Sequence, residues 1–248
     1  MENNIREKLL KLNENFYSTY SSSFSATRKG IQPGVKQLLG LIRNKDQILD
    51  LGCGNGNFAR TLAKINFDGS YLGLDSNPVF LANAIKGLPA ESAYHYAFIE
   101  QDLTDPNWPD SFLCAYFDVI CAFSFLHHIP GKEDQAAFFN QVSDLLTPGG
   151  LLMLSVWQPL NDCRLKGHVL PWEMVDISPE ALCEGDLLID WRAEENDQPR
   201  GMRYVHQFSA EELTLLGSSA GLKLELDFYS DGRTHNLGYY QVWQKLQA

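Results

Sequence analysis

The stretch QILDLGCGNGNF, residues 47–58, constrains this chain more than any other segment of its length. Ile48, Leu49 and Leu51 form the short apolar run of a buried parallel strand. The run ends in Gly52-Cys53-Gly54-Asn55-Gly56, and an amphipathic pattern resumes at Phe58, Leu62 and Ile65. The prediction is a strand, a glycine turn and a helix. Glycines let backbone approach a ligand closely, and the first turn of a helix adds N–H donors. Asp50 ends the strand, and its carboxylate would repel a dinucleotide pyrophosphate but attract an amino group or a sulfonium. Spacing alone leaves two cofactors open, because Gly54, Gly56 and Ala59 also satisfy the dinucleotide fingerprint G-x-G-x-x-G/A.

Further strand ends carry polar residues. Tyr71–Asp75 reads as the second strand, and Asp75 falls where a carboxylate accepts from ribose hydroxyls. Asn77-Pro78 then read as N-cap and first residue of a helix. Tyr96–Glu100 is the third strand, followed by Gln101-Asp102-Leu103. Phe117–Ala122 is the fourth, followed by Phe123-Ser124-Phe125-Leu126-His127-His128. A helix over 133–146 stops at Thr147-Pro148-Gly149-Gly150, and residues 151–156 give a fifth strand. Upstream, residues 2–20 read as a helix with Leu9, Leu10, Leu12, Phe16 and Tyr20 as its apolar stripe, broken at Ser21–Ser25. A second helix is predicted from Pro33 to about Arg43. Residues 157–207 show little periodicity and are read as a cap over the carboxyl ends of the strands. Ser209 and Glu212 open the last helix as a capping box, and 222–228 with 239–243 close the sheet as an antiparallel pair.

Together, D-x-G-x-G-x-G at 50–56, Asp75, Asp102 and the acidic strand leading to Leu-His-His resemble the motifs of class I S-adenosylmethionine-dependent methyltransferases. The resemblance implies a Rossmann-like α/β fold: a mostly parallel seven-stranded sheet, an antiparallel last strand, and helices on both faces. It implies S-adenosyl-L-methionine as cofactor, held by Asp50, Gly52, Cys53, Gly54, Asn55, Gly56, Asp75, Ser76, Asp102, Leu103 and Phe123, with Arg28 facing the same pocket. In that family the glycine loop wraps the methionine part, and the Asp after the third strand accepts from the adenine amino group.

Further segments resemble one group within it, the tRNA methyltransferases that esterify a carboxymethyl group on wobble uridine. These are FYSTYSSSFSATR at 16–28, HHIP at 127–130, VW at 156–157, VLPW at 169–172, RYVHQF at 203–208 and HNLGYYQVW at 235–243. Val205 stands where that group carries a second aromatic, and its usual Asn-Trp pair is missing near the C-terminus. The eukaryotic relatives work with a small activator subunit. A carboxylate acceptor, with a reference pKa of about 4, needs no general base but does need donors to hold it. Arg203 and His206, supported by Arg28, are expected to hold it, with Tyr204 and Asn236 as further donors and Trp172 stacking on a base. His127 or His128 would be the base for a hydroxyl or amine acceptor. A small-molecule carboxyl- or O-methyltransferase remains an alternative, as does a cofactor-binding regulatory protein without turnover.

Composition sets outer limits. The 248 residues fit one domain, read as 1–248 with an N-terminal helical segment to about 45 and the cap at 157–207. The net charge of −11 argues against nonspecific nucleic-acid binding. Cys53, Cys114, Cys121, Cys163 and Cys183 are scattered and odd in number, which points to free thiols in the cytoplasm and to no zinc site. No bound metal is expected, and activity should survive EDTA. No apolar run approaches a membrane span and no signal-peptide pattern opens the chain.

Overall fold

The computed structural model describes residues 1–27, 30–89, 95–112, 116–191 and 201–247. Its centre is a seven-stranded sheet in the order β3-β2-β1-β4-β5-β10-β9. The strands are β1 (Gln47–Leu51), β2 (Ser70–Asp75), β3 (His95–Glu100), β4 (Phe117–Phe123), β5 (Leu146–Trp157), β9 (Leu222–Ser230) and β10 (Gly238–Lys245). All pair in parallel except β10, which runs antiparallel to both β5 and β9. Strand order reverses between β1 and β4, and the crevice outside their carboxyl ends is where open α/β sheets take ligands.

Alternation along the strands feeds two cores. Leu49 and Ile120 point to one face, against Phe138, Phe139 and Val142 of helix α5 (Lys132–Leu145) and Leu213 of α7 (Ala210–Ser219). Ile48 and Val119 point to the other, against Val35 and Leu38 of α2 (Pro33–Leu38) and Phe58, Ala59 and Leu62 of α3 (Asn57–Lys64). This period of two is what a strand buried on both faces requires. The Ser209–Glu212 capping box is present, and Asn77 caps α4 (Pro78–Gly87) by accepting from the N–H groups of Val79 and Phe80.

Several expected boundaries move. Helix α1 runs Asn3–Thr27 without a break at the serines. Serine is only a modest helix former, and no Gly or Pro interrupts the stretch. Its buried face is Ile5, Leu9, Asn13 and Phe16, at spacings of four, four and three, whereas Leu10, Leu12 and Tyr20 are half-buried. Helix α2 ends at Leu38 and continues as one 3-10 turn, Leu39–Leu41. Strand β5 begins at Leu146, ahead of the Thr-Pro-Gly-Gly stop. Leu146 lies opposite Phe117 and Leu151 opposite Val119, so the intervening residues bulge out of register, with Gly149 at φ +81°.

The cap differs most from expectation. Within it β6 (Val169–Leu170), β7 (Asp186–Trp191) and β8 (Gly201–His206) form a three-stranded antiparallel sheet, and the short helix α6 covers Cys163–Lys166. Ile5 and Leu9 of α1 pack with Trp172, Ile177, Leu188 and Tyr204 in a third core that joins this sheet to the N-terminal helix.

Candidate functional site

The glycine loop is built from backbone. Gly52, Gly54 and Gly56 take φ of +72°, +55° and +74°, which side chains of L-residues seldom adopt. A Cβ on Gly56 would lie 2.7 Å from Ala84 Cβ, so the loop closes directly onto α4. Around Gly54 nothing stands within 4 Å of where a Cβ would be, so this stretch of loop presents bare backbone to open space. The N–H groups of Gly52 and Cys53 both donate to the Leu74 carbonyl at 2.9 Å, clamping the loop to β2. The Gly54 N–H donates to Asp75 Oδ2 at 2.9 Å, and the Asn77 N–H to Asp75 Oδ1 at 2.9 Å. Burial pushes the Asp75 carboxyl up, and the two N–H bonds oppose that shift. A half-buried carboxylate beside an open glycine backbone, at the switch point of the sheet, fits an adenosyl cofactor bearing ribose hydroxyls.

The other predicted cofactor residues separate into lining and support. Asp50 is buried, faces Cys121 in register and accepts from the Tyr71 hydroxyl at 2.5 Å. Its burial, against that bond and with the Asp75 charge adding to the shift, pushes its carboxyl up to about 7. Cys53 is buried and packs on Gly73, where a Cβ would meet its Sγ at 2.9 Å. The Asn55 carbonyl accepts from Arg60 Nη1 at 2.5 Å, and Ser76 is exposed. Asp102 is exposed and its Oδ1 accepts from the Thr104 N–H at 2.8 Å and the Thr104 hydroxyl at 2.7 Å, while Leu103 is buried. Phe123 packs edge-on against Phe58 at 5.4 Å, and Ser124 after it is held at φ +58°, a strained position for serine. Arg28 lies outside the described residues.

Four segments distant in sequence meet around Arg203. It is only 5% exposed, and its guanidinium carbon lies over two rings, 4.9 Å from the Phe16 centroid and 4.8 Å from that of Trp157. Arg203 Nη1 donates to the Tyr17 hydroxyl at 3.2 Å, and that hydroxyl lies 2.8 Å from His128 Nε2. His128 Nδ1 is 3.2 Å from the Tyr204 carbonyl. Burial and the neighbouring Arg203 charge bring the His128 imidazole down to about 3, against the bond to Tyr204. The two subsites are joined: Asn77, whose N–H binds Asp75, donates through Nδ2 to the Tyr17 carbonyl at 2.9 Å. At 5% exposure Arg203 is not a surface charge, and Glu194, Glu195 and Asp197, acidic residues close to it in sequence, lie outside the described residues.

The strand assignment of 201–206 corrects the acceptor set. Successive side chains on a strand point to opposite faces, so Arg203 and His206 do not share one. His206 is 1% exposed, with Nδ1 2.7 Å from Asp186 Oδ1. Tyr204 is fully buried and donates its hydroxyl to the same oxygen at 2.9 Å. Both side chains hold β8 to Asp186 instead of facing the cation. Trp172 is buried in the α1–cap core, which removes it as an exposed stacking platform. Asn236 sits in the turn between β9 and β10, its carbonyl accepting from Asn161 at 3.0 Å and its Oδ1 from Thr234 at 2.5 Å. His127 is 2% exposed and its Nδ1 accepts the Trp157 N–H at 3.2 Å, a bond that organises the end of β5. Sequence reasoning missed Tyr17 and Trp157 as neighbours of Arg203, and Asn77 as the residue that links Tyr17 to Asp75. Their only signal was membership of FYSTY, VW and a helix cap. Among the described residues no group of three or more His, Cys, Asp or Glu side chains is placed to hold a metal ion, and no helix is long and apolar enough to cross a membrane.

A family model described as a methyltransferase domain matches residues 24–226. The chain is similar to trans-aconitate 2-methyltransferase of Escherichia coli O157:H7, at 30% identity over 210 residues, covering 76% of this chain and 71% of that protein. It is 26% identical over 146 residues to the ubiquinone biosynthesis O-methyltransferase of Colwellia psychrerythraea, covering 58% of this chain. The chain spans 54% of that relative's length and 34% of the length of a sterol 24-C-methyltransferase of Aspergillus fumigatus. In structure it resembles the CcbJ methyltransferase of Streptomyces caelestis, with a TM-score of 0.67 at 15% identity over 93% of this chain and 98% of that one.

Proposed function

This chain belongs to the methyltransferase-domain family, and we propose that it transfers the methyl group of S-adenosylmethionine to a carboxylate held at Arg203. S-adenosylmethionine supplies an electrophilic methyl group on a sulfonium. The Gly52–Gly56 loop takes its methionine part, Asp75 accepts from its ribose hydroxyls, and Asp102 with the Leu103 N–H receives the adenine. Asp50, beneath the loop, adds negative potential that favours a cation.

The observation that carries the carboxylate reading is the pairing of a ring-flanked arginine with a histidine that stays neutral. Hydroxyl and amine acceptors call for a base with a pKa near the working pH. His128, held at about 3, is a poor one, and His127 spends Nδ1 on the Trp157 N–H. A carboxylate, with a reference pKa of about 4, arrives ionised and asks only to be oriented and kept from water. Arg203, at the carboxyl ends of the strands, has the charge and the planar fork for that task.

The acceptor we favour is the carboxymethyl group of a modified wobble uridine in tRNA. Phe16 and Tyr17 of FYSTY, His128 of HHIP, Trp157 of VW and Arg203 of RYVHQF, the segments that carry that resemblance, converge on one cluster. A small organic acid is the second reading, favoured by the charge of −11 and the similarity to trans-aconitate 2-methyltransferase. The four described cysteines are free, which suits the cytoplasm. The test supplies labelled S-adenosylmethionine with bulk tRNA, followed by nucleoside analysis, and in parallel with trans-aconitate, each with and without EDTA. A base-labile methyl ester is expected. A base-stable methyl group on oxygen, nitrogen or carbon would sink the carboxylate reading, and loss of activity on chelation would return the histidines to a metal-binding role.

A further inference from the structure

We infer that the exposed cations Arg164, Lys166 and Arg233 form one surface that holds the phosphate backbone of the acceptor RNA beside the Arg203 cluster. The inference rests on the tRNA reading above. Two loops carry these residues. Residues 158–168 leave the carboxyl end of β5 and pass through helix α6, and residues 231–237 turn from β9 into β10. Both spring from one point, because Trp157, the last residue of β5, pairs with Gly238, the first of β10. The Gln158 N–H donates to the Leu237 carbonyl at 2.8 Å, and Asn161 Nδ2 donates to the Asn236 carbonyl at 3.0 Å, so the loops run side by side. The Leu160 N–H donates to Gln207 Oε1 at 2.8 Å, which ties the pair to the end of β8. Trp157 is also a residue whose ring the Arg203 guanidinium covers. The loops therefore rim the acceptor end of the proposed site.

The chain carries a net charge of −11, yet every fully exposed charged side chain on these two loops is a cation. Their two acids are half-buried and spent inside the fold. Asp162 Oδ1 accepts the Arg164 N–H at 2.8 Å, while Asp231 accepts the Gly34 N–H at 3.0 Å and the Tyr240 hydroxyl at 2.5 Å. The turn that presents Arg233 is fixed by left-handed backbone, with φ of +68° at Asp231 and Gly232 and +57° at His235. His235, exposed beside it, adds a further donor for a phosphate oxygen. Exposed arginine and lysine bind phosphates through charge and released counterions, which requires no burial. A small organic acid needs only Arg203. A nucleotide whose carboxymethyl group sits there continues on both sides into phosphates, and those need cations at the rim.

The experiment compares a triple variant in the full chain, Arg164→Gln, Lys166→Gln and Arg233→Gln, with a control triple of equal charge change, Lys64→Gln, Lys86→Gln and Lys223→Gln. The control residues are exposed and lie where α3 and α4 end and β9 begins, at the amino ends of the strands. Fluorescence anisotropy with labelled bulk tRNA reads binding at several salt concentrations, and turnover is followed on tRNA and on trans-aconitate. In the rim variant tRNA should bind about tenfold more weakly, and the slope of log Kd against log salt should fall by about two to three, one for each lost phosphate contact. Any turnover of trans-aconitate, the affinity for S-adenosylhomocysteine and Tm should match the wild type, and the control triple should match it throughout. If bulk tRNA binds but is not methylated, the tRNA reading fails, and the anisotropy alone decides the role of the rim. A wild type that binds no tRNA, an unchanged affinity and salt slope, an equal loss in the control triple, or a fall in Tm with trans-aconitate turnover would each overturn the inference. So would loss of binding to phosphatidylserine vesicles with tRNA binding intact, which would assign the rim to a membrane surface.

Discussion

The two ends of the proposed site, one for cofactor and one for acceptor, are made in different ways. At the cofactor end the donors are backbone N–H groups, and their partners are close in sequence: Gly54 reaches Asp75 across 21 residues and Asn77 reaches it across two. At the acceptor end the groups are side chains brought together by the tertiary fold. Arg203 meets Tyr17 across 186 residues, and Tyr17 meets His128 across 111. The Gly52–Gly56 loop is aimed by positive φ values, so it leaves glycines in the sequence as a trace. Side-chain donors can be aimed from anywhere, so they leave none. The cofactor end should therefore respond to changes in the loop and strand β2, and the acceptor end to changes in α1 and the cap sheet, with little crossing between them except through Asn77.

The strongest test of that division is Arg203→Ala. Turnover should fall by about 10²-fold or more, because an aimed cation contributes several kcal/mol to positioning. Cofactor affinity should hold. A surface arginine would leave Tm unchanged, but this one should lower it, since two ring contacts of about 0.5–2 kcal/mol each are lost. Normal turnover in this variant would break the division outright. Asp75→Ala tests the other end. It should weaken S-adenosylhomocysteine binding by about 1–3 kcal/mol in titration calorimetry, because buried donors lose their acceptor. Acceptor KM at saturating cofactor should not move, and NAD should not bind to the wild type; tight NAD binding with no response to S-adenosylhomocysteine would refute the cofactor assignment.

A smaller effect on function, with a clear one on stability, is expected at His206. Two positions from the backbone bond that β8 makes to His128, it faces the other way and serves Asp186. His206→Ala should cost about 1–3 kcal/mol of stability by stripping a buried carboxylate of one donor. Acceptor KM should stay within about twofold. A large rise in KM at unchanged Tm would show that β8 presents both faces to the acceptor, and the strand assignment would have to be revised.

How much of this was readable beforehand follows the same line. The positions of the sheet strands along the chain came from apolar runs and their glycine or Asp endings, local signals that survive without tertiary context. So did the loop, Asp75 and the caps at Asn77 and Ser209. The parallel direction of the strands came from the family resemblance, and their order in the sheet from the structure. The cap strands were missed because β7 and β8 bury both faces, one against α1, and so do not show a one-sided alternation. That omission hid the opposite facing of Arg203 and His206. Asn13, a polar residue on the buried stripe of α1, was invisible for a related reason: it is buried because it pairs with β8. Trp172 was assigned to stacking from residue type alone, whereas its burial against Ile5 and Leu9 depends on a helix some 160 residues away in sequence.

The last prediction concerns pH, where the expected change in rate is smallest. His128 has its folded pKa lowered to about 3 from an ordinary 6.5. Between those values the unfolded chain takes up a proton that the folded chain refuses. Its contribution to stability is therefore complete above 6.5 and is lost progressively as pH falls toward 3. Over the range in which the enzyme would be assayed, from about pH 6 to pH 8, the folded imidazole stays neutral and the acceptor carboxylate stays ionised. The rate at saturating cofactor should then be nearly flat. Saturation matters because Asp50, pushed up to about 7, titrates in this window beneath the cofactor loop and would tilt the profile through binding. Thermal melts of the wild type should show Tm falling below pH 6.5, with that acid slope reduced in His128→Gln. A rate that instead rises through a midpoint near 7 at saturating cofactor, and flattens in His128→Gln, would make this histidine a general base. The acceptor end would then be doing proton transfer as well as orientation, and a hydroxyl or amine acceptor would replace the carboxylate.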